Sequence, residues 1–271
     1  MRQISVSRLD SVDHHRAVVD AKREPRRGRL LAADPIVTER IHDLELFGPF
    51  ALPQSTLAHA CSGEACDPCL YDDLHSLWSV ATAPLSRLKA LLIDEAMASG
   101  VNDCPYCGLD PMEAFDHYLP QEAYPEFSVT AVNLIFVCGS CNLLKRAAVP
   151  HVGNRFLHPA FDPLDRRLLS CTIDDSSELP RAHFALDRTV LGGLGVLGEC
   201  EFHFERLELG ERLAKAAVPE IAAFLVECQL NGLSADASAA SARVRSEAQA
   251  RTWGPNRWTS LLYMALAEWL G

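Results

Sequence analysis

The 271 residues are 48% hydrophobic and 23% charged, enough apolar material for one large domain or two small ones and too ordinary a charge content for wholesale disorder. The formal net charge of −11 excludes a uniformly basic nucleic-acid surface, so any contact with phosphate rests on local clusters. The first ten residues lack an apolar signal core, and no uncharged apolar run reaches membrane-spanning length, the candidate at 221–225 being flanked by Glu220 and Glu227. The composition reads as a soluble cytoplasmic protein, a compartment where paired cysteines bind metal more often than they form disulfides.

Residues 1–35 are polar and carry Lys22, Arg23, Arg26, Arg27 and Arg29. This cluster is either a solvated, flexible arm or a nucleic-acid contact. Residues 36–100 read as helical. Pro84 opens one helix, Leu85, Leu88, Leu91, Leu92 and Ala96 follow at helical spacing, and Gly100 stops it. Before it, Cys66 and Cys69 have the spacing of a second zinc site that Cys61, His59 or His75 would complete; the alternative is surface or core thiols near a turn.

Residues 101–160 hold the motifs. Cys104-Pro-Tyr-Cys107 forms a knuckle, with Gly108 freeing the backbone after the second thiol. A short strand is expected over 114–119, a loop over 120–125, a second strand over 134–137, and a helix from Ser140 onward. Cys138-Gly-Ser-Cys141 forms the second knuckle. Two CxxC pairs place four thiolates around one tetrahedral zinc, and a closed shell makes that zinc structural. The gap between Cys107 and Cys138 exceeds the roughly 15–20 residues of simple zinc ribbons. An insert is therefore held between the knuckles, and it contains Asp116-His117.

Beyond residue 160, strands are expected at 168–173 and 203–209. Gly192-Gly193-Leu194-Gly195 reads as a turn, because it lacks the Lys-Ser/Thr of a phosphate loop. Residues 210–271 read as three helices, with Pro219 starting or kinking one and Gly254-Pro255-Asn256 separating the last two. Cys171, Cys200 and Cys228 read as small core hydrophobes. The domains expected are a mostly helical N-terminal part with a basic arm (1–100), a motif core (101–160) and a mixed, then helical C-terminal part (161–271).

Phosphodiester hydrolysis needs an activated water and a counter-charge for the phosphate. A neutral imidazole suits the first task near pH 7, and a divalent ion on oxygen ligands suits the second. Adjacent Asp116 and His117 on a strand point to opposite sides, so one can hold metal while the other faces water. Asn142 follows the last zinc ligand, where its amide oxygen can serve as a second metal ligand. Asn133 opens the second strand, where it can brace the loop and orient His117. Lys145, Arg146 and Arg155 are the candidate phosphate contacts. His151 and His158 read either as structural or as contacts to phosphate or substrate, the structural role being favoured.

The segment 104–146 resembles an HNH endonuclease of the ββα-metal type, with zinc-binding cysteines flanking the hairpin. The resemblance implies that His117 is the general base, Asp116 and Asn142 hold a catalytic Mg²⁺ or Mn²⁺, and Asn133 positions the base. Asn142 stands where the name has His, a variant that keeps an oxygen ligand. The stretches 116–127 and 156–162 also resemble a bacterial subgroup of stand-alone HNH proteins. That subgroup is associated with phage defence and with a neighbouring ATPase. The expectation is an α+β protein: a small ββα-metal core with zinc knuckles, flanked by mostly helical N- and C-terminal regions, cutting DNA. A single site would nick one strand per event, and pairing through the amphipathic C-terminal helices is left open. The alternatives are a zinc-stabilised nucleic-acid-binding module that does not cut, and a nuclease effector controlled by an ATPase or sensor partner.

Overall fold

A computed structural model describes residues 1–50, 52–53, 68–98, 100–176 and 179–271. The chain is α+β, with long helices and two small antiparallel sheets. It divides into two compact units: one comprises 5–102 with 112–155, the other 1–4, 103–111 and 156–271. No helix among the described residues is long and apolar enough to cross a membrane.

The first unit begins with helices α1 (Ser11–Asp20) and α2 (Arg26–Phe47), where the sequence suggested a flexible arm. The Asp10 carboxylate caps α1 by accepting the Asp13 N–H. Helix α2 buries Leu30, Ala33, Val37, Ile41 and Leu44, the three- and four-residue spacing of one helical face. Its basic residues are paired with carboxylates of the same unit. Arg26 and Arg29 both bond the buried carboxylate of Asp73 at 2.7 Å, and Arg27 pairs with Asp20. Lys22 is buried as well. A carboxylate taken out of water requires such partners, and two guanidinium groups supply them.

Helix α3 (Pro68–Ser79) carries Asp73 and packs on α2. Helix α4 (Ala83–Met97) is capped by Thr82, whose hydroxyl accepts the Leu85 N–H. It buries Leu85, Leu88 and Leu92 and lies on strand β2 (Leu134–Val137), the scaffold role its spacing suggested.

His15 of α1 is 1% exposed, and its Nδ1 has no hydrogen-bond partner among the described residues. Burial lowers its pKa to about 4. Above pH 6.5 neither the folded nor the unfolded chain protonates it. Below that, the unfolded chain binds a proton that the folded one refuses, so stability falls as the pH drops from 6.5 to 4. The loss from this group is about 3 kcal/mol. Urea midpoints at pH 7 and pH 5 should show the fall, and His15→Leu should flatten it; an unchanged slope would remove His15 as its source.

The second unit pairs β3 (Leu169–Asp174) with β4 (Arg181–Leu186) in antiparallel register from Leu169↔Leu186 to Asp174↔Arg181. It continues through α6 (Arg188–Leu194), α7 (Leu197–Arg206), α8 (Leu209–Leu230), α9 (Ala235–Trp253) and α10 (Trp258–Leu270). Helix α8 covers β4, α10 covers β3, and α9 packs along α10. The segment 203–209, expected as a strand, is the end of α7 and the start of α8. Its alternation arises because Leu207 and Leu209 are buried at the junction of two helices. Gly192 and Gly193 lie in α6, which ends at Gly195 in the left-handed region. Asn256 holds the turn before α10 by donating to the Leu164 and Arg166 carbonyls and accepting the Leu168 N–H.

Candidate functional site

The site grows from a hairpin and the helix that follows it. Strand β1 (Ala114–His117) pairs with β2 so that Asp116 stands opposite Ile135 and His117 opposite Leu134. Helix α5 (Gly139–Lys145) starts immediately after β2. Cys138 is its cap: the sulfur accepts the Cys141 N–H at 3.4 Å and the carbonyl accepts the Asn142 N–H at 3.1 Å. The Glu113 carboxylate accepts the Gly139 N–H at 3.0 Å, tying the start of α5 to the residue before β1.

Cys104, Cys107, Cys138 and Cys141 are all buried, and their sulfur atoms lie within 4.8 Å of one another. Four thiolates bound to one zinc lie about 3.8 Å apart, given a Zn–S bond of about 2.3 Å, so the cluster is close to a metal cage as it stands. A four-cysteine cluster of this kind can hold a structural metal such as zinc. The first knuckle turns tightly: Gly108 N–H donates to the Cys104 carbonyl at 2.8 Å, and Gly108 takes φ +71°, which favours glycine. The Cys107 sulfur accepts the Leu109 N–H at 3.4 Å. Arg257 clamps this knuckle through Asp103 and the Gly108 carbonyl, and Arg212 through Asp110. Cys61 and Cys66, with His59, lie outside the described residues; Cys69 is exposed.

His117 is held by one nitrogen. Its Nε2 lies 2.9 Å from the Ser128 carbonyl oxygen, which can only accept, so Nε2 carries the proton and Nδ1 keeps its lone pair in the neutral ring. The residue as a whole is half-buried, and its imidazole is enclosed by its neighbours. Trp78 of α3 meets it edge-on, with ring centroids 4.9 Å apart. The Lys89 ammonium stands 3.7 Å above the Trp78 ring. Burial lowers the His117 pKa to about 4, against the opposing pull of the Ser128 carbonyl and Asp116. The ring is therefore neutral at physiological pH.

Asp116 is 3% exposed and bonded to the Lys145 ammonium at 3.0 Å. Lys145 also donates to the His117 carbonyl at 2.9 Å. Asn142 lies three residues before Lys145 on α5, a spacing that puts the two side chains on one side of the helix. It is half-buried, and its carboxamide makes no hydrogen bond among the described residues. A carboxylate and an amide oxygen suit a hard divalent cation.

Asn133 is 1% exposed and braces the connecting loop. It accepts the Leu119 N–H at 2.8 Å and donates to the carbonyls of Leu119 at 3.1 Å and Phe127 at 3.2 Å. Phe127 precedes Ser128, so Asn133 acts on His117 through the loop that supplies its carbonyl partner. Arg40 supports the same loop from α2, bonding the buried Glu126 at 3.0 Å. Asn133→Ala leaves three buried backbone groups without these bonds. It should cost on the order of 3 kcal/mol, read as a lowered urea midpoint; a midpoint equal to the parent's would show that the loop is braced elsewhere.

The three expected phosphate contacts separate. Lys145 and Arg155 are buried, Lys145 on Asp116 and Arg155 against the Phe50 ring at 3.5 Å. Arg146, past the end of α5, is exposed. His151 lies in a small bridge with Asn154, and His158 N–H donates to Asp162 at 2.7 Å within the 156–162 segment. The sequence reading missed Trp78 and Ser128. Trp78 lies far from the motif in the chain, and Ser128 contributes only its backbone, so neither leaves a motif signal.

No family model and no solved structure matches the chain. A stretch of 72 residues is 36% identical to Protein ea31 of Escherichia phage lambda, covering 26% of this chain and 24% of the phage protein. The similarity thus spans about a quarter of each.

Proposed function

We propose that residues 104–146 form the centre of a metal-dependent endonuclease of the HNH type, hydrolysing phosphodiester bonds in DNA. The observation that carries this reading is the held tautomer of His117: one nitrogen is fixed on the Ser128 carbonyl, and the other keeps a lone pair, one residue from a buried carboxylate. Asp116 and Asn142 would hold the divalent ion, Mg²⁺ or Mn²⁺. When bound, that ion supplies counter-charge to the phosphate and the leaving oxygen. His117 takes the proton from the attacking water at Nδ1. Its burial keeps it neutral, so the Nδ1 lone pair is available at physiological pH. Asn133 fixes the loop that fixes the ring, and Arg146 is the exposed cation for a flanking phosphate. A structural zinc on the four cysteines would hold the start of α5, and with it Asn142, in place.

The rival is a zinc-stapled module that docks on nucleic acid without cutting. One observation favours it: Asp116 already has a cationic partner in Lys145. Supercoiled plasmid incubated with the protein and Mg²⁺ or Mn²⁺ separates the two. The nuclease reading expects open-circle product that EDTA abolishes. Plasmid retained on the protein but left intact, with either metal, would favour the rival.

A further inference from the structure

Lys145 stands at the end of a short helix, where a lysine usually reaches into solvent. Instead its side chain is 1% exposed. It is held by two neighbours on β1: Asp116 Oδ1 at 3.0 Å and the His117 carbonyl at 2.9 Å. The Tyr118 ring lies beside it, 5.7 Å from Nζ to centroid. One cation thus touches three consecutive residues around the position read as the metal ligand. The pair stabilises Asp116 as a buried anion when no metal is present. A divalent ion on the same carboxylate would stand close to the ammonium, and like charges repel strongly where water is excluded.

We propose that Lys145 is the resident counter-ion of Asp116 and sets the metal affinity of the site. A divalent ion binds as the ammonium yields the carboxylate, while its bond to the His117 carbonyl remains as a tether. The inference rests on reading Asp116 as a metal ligand. If the pair is formed nine times in ten, the apparent affinity for metal falls about tenfold. The site is then folded and charge-balanced without metal and loads only where metal is plentiful. The opposite role is a positioning one, in which Lys145 aims Asp116 at the ion. Removing it would then weaken binding, so the two roles differ in sign.

Calorimetric titration of the zinc-loaded full chain with MnCl2 reads that sign without any cleavage assay. Lys145→Met keeps an unbranched side chain without the charge. It should bind Mn²⁺ at least about tenfold more tightly than the parent and show a larger Mn²⁺-induced rise in unfolding temperature. Circular dichroism and zinc content confirm that it is folded. Lys145→Gln, which keeps a donor for the His117 carbonyl, makes the same comparison if Lys145→Met does not fold. Equal or weaker Mn²⁺ binding in a folded variant overturns the proposal. So does failure of both variants to fold in excess Mn²⁺, because the metal then cannot replace the ammonium. Asp116→Asn distinguishes the two levels. If it abolishes Mn²⁺ binding while Lys145→Met does not tighten it, only the role of Lys145 falls. If it leaves Mn²⁺ binding unchanged, the metal-site reading falls with it.

Discussion

His117→Ala is expected to slow plasmid nicking by about 100- to 10,000-fold, the usual contribution of a positioned general base. The loss should be in turnover, with zinc content and unfolding midpoint close to the parent's. Among the described residues the ring's polar tie is a single bond to the Ser128 carbonyl. The change removes the proton acceptor and only that one hydrogen bond. The pH profile gives a second handle. An ordinary imidazole loses its basic form below about pH 6.5. Here burial moves that point to about 4. The basic form persists on acidification, so base-dependent cleavage should hold through pH 5 and fail only near 4. A variant that nicks as fast as the parent would remove His117 from the reaction.

Loss of the four-cysteine metal should have the largest effect on the fold itself. Structural zinc contributes about 10–16 kcal/mol at pH 7 in small zinc-bound domains, comparable with the whole stability of a typical domain. Cys138→Ser should release the metal and abolish the cooperative unfolding transition of the hairpin and α5, and strong chelators should do the same to the parent. Cys138 has a second task as the cap of α5. Asn142 and Lys145 lie on that helix, so nicking should disappear with the metal. Cys200→Ser, a buried cysteine outside the cluster, serves as the control and should retain full zinc. Elemental analysis decides the matter: a parent with no stoichiometric zinc, or a Cys138→Ser protein with its zinc and midpoint intact, would refute the structural role.

The parts of the fold legible in the sequence are those with a local signal. Strand β2 coincides with its β-branched and aromatic run, α4 with its Pro84 start and leucine spacing, and the last two helices with their break at Gly254–Asn256, while Pro219 lies inside the helix it was expected to start or kink. Strand β4 was hidden because only Ala182 and Phe184 mark its buried face. The segment 203–209 misled because a junction between two helices buries alternate residues and so imitates a strand. Charge was the least legible. Arg26 and Arg29 look like a basic arm until Asp73, more than forty residues away, is placed between them. Lys145 has the same history, a lysine after the last cysteine that proves to be the partner of Asp116. A charged side chain's role depends on what it meets across the fold, and no spacing rule encodes that meeting. The cysteine spacing, by contrast, marked four sulfurs that the fold does bring together.

The indole of Trp78 walls the imidazole of His117 from a helix far upstream of the motif. A fragment cut to residues 101–160 would keep every letter that names the chemistry and lose that wall, along with Arg40 beneath the connecting loop. Its imidazole would become a more ordinary, wetter base with a titration point nearer neutrality. On the proposed reading, acid tolerance would be set by the helical layer and not by the motif. Two proteins that share the motif but differ in that layer would catalyse the same reaction over different ranges of acidity.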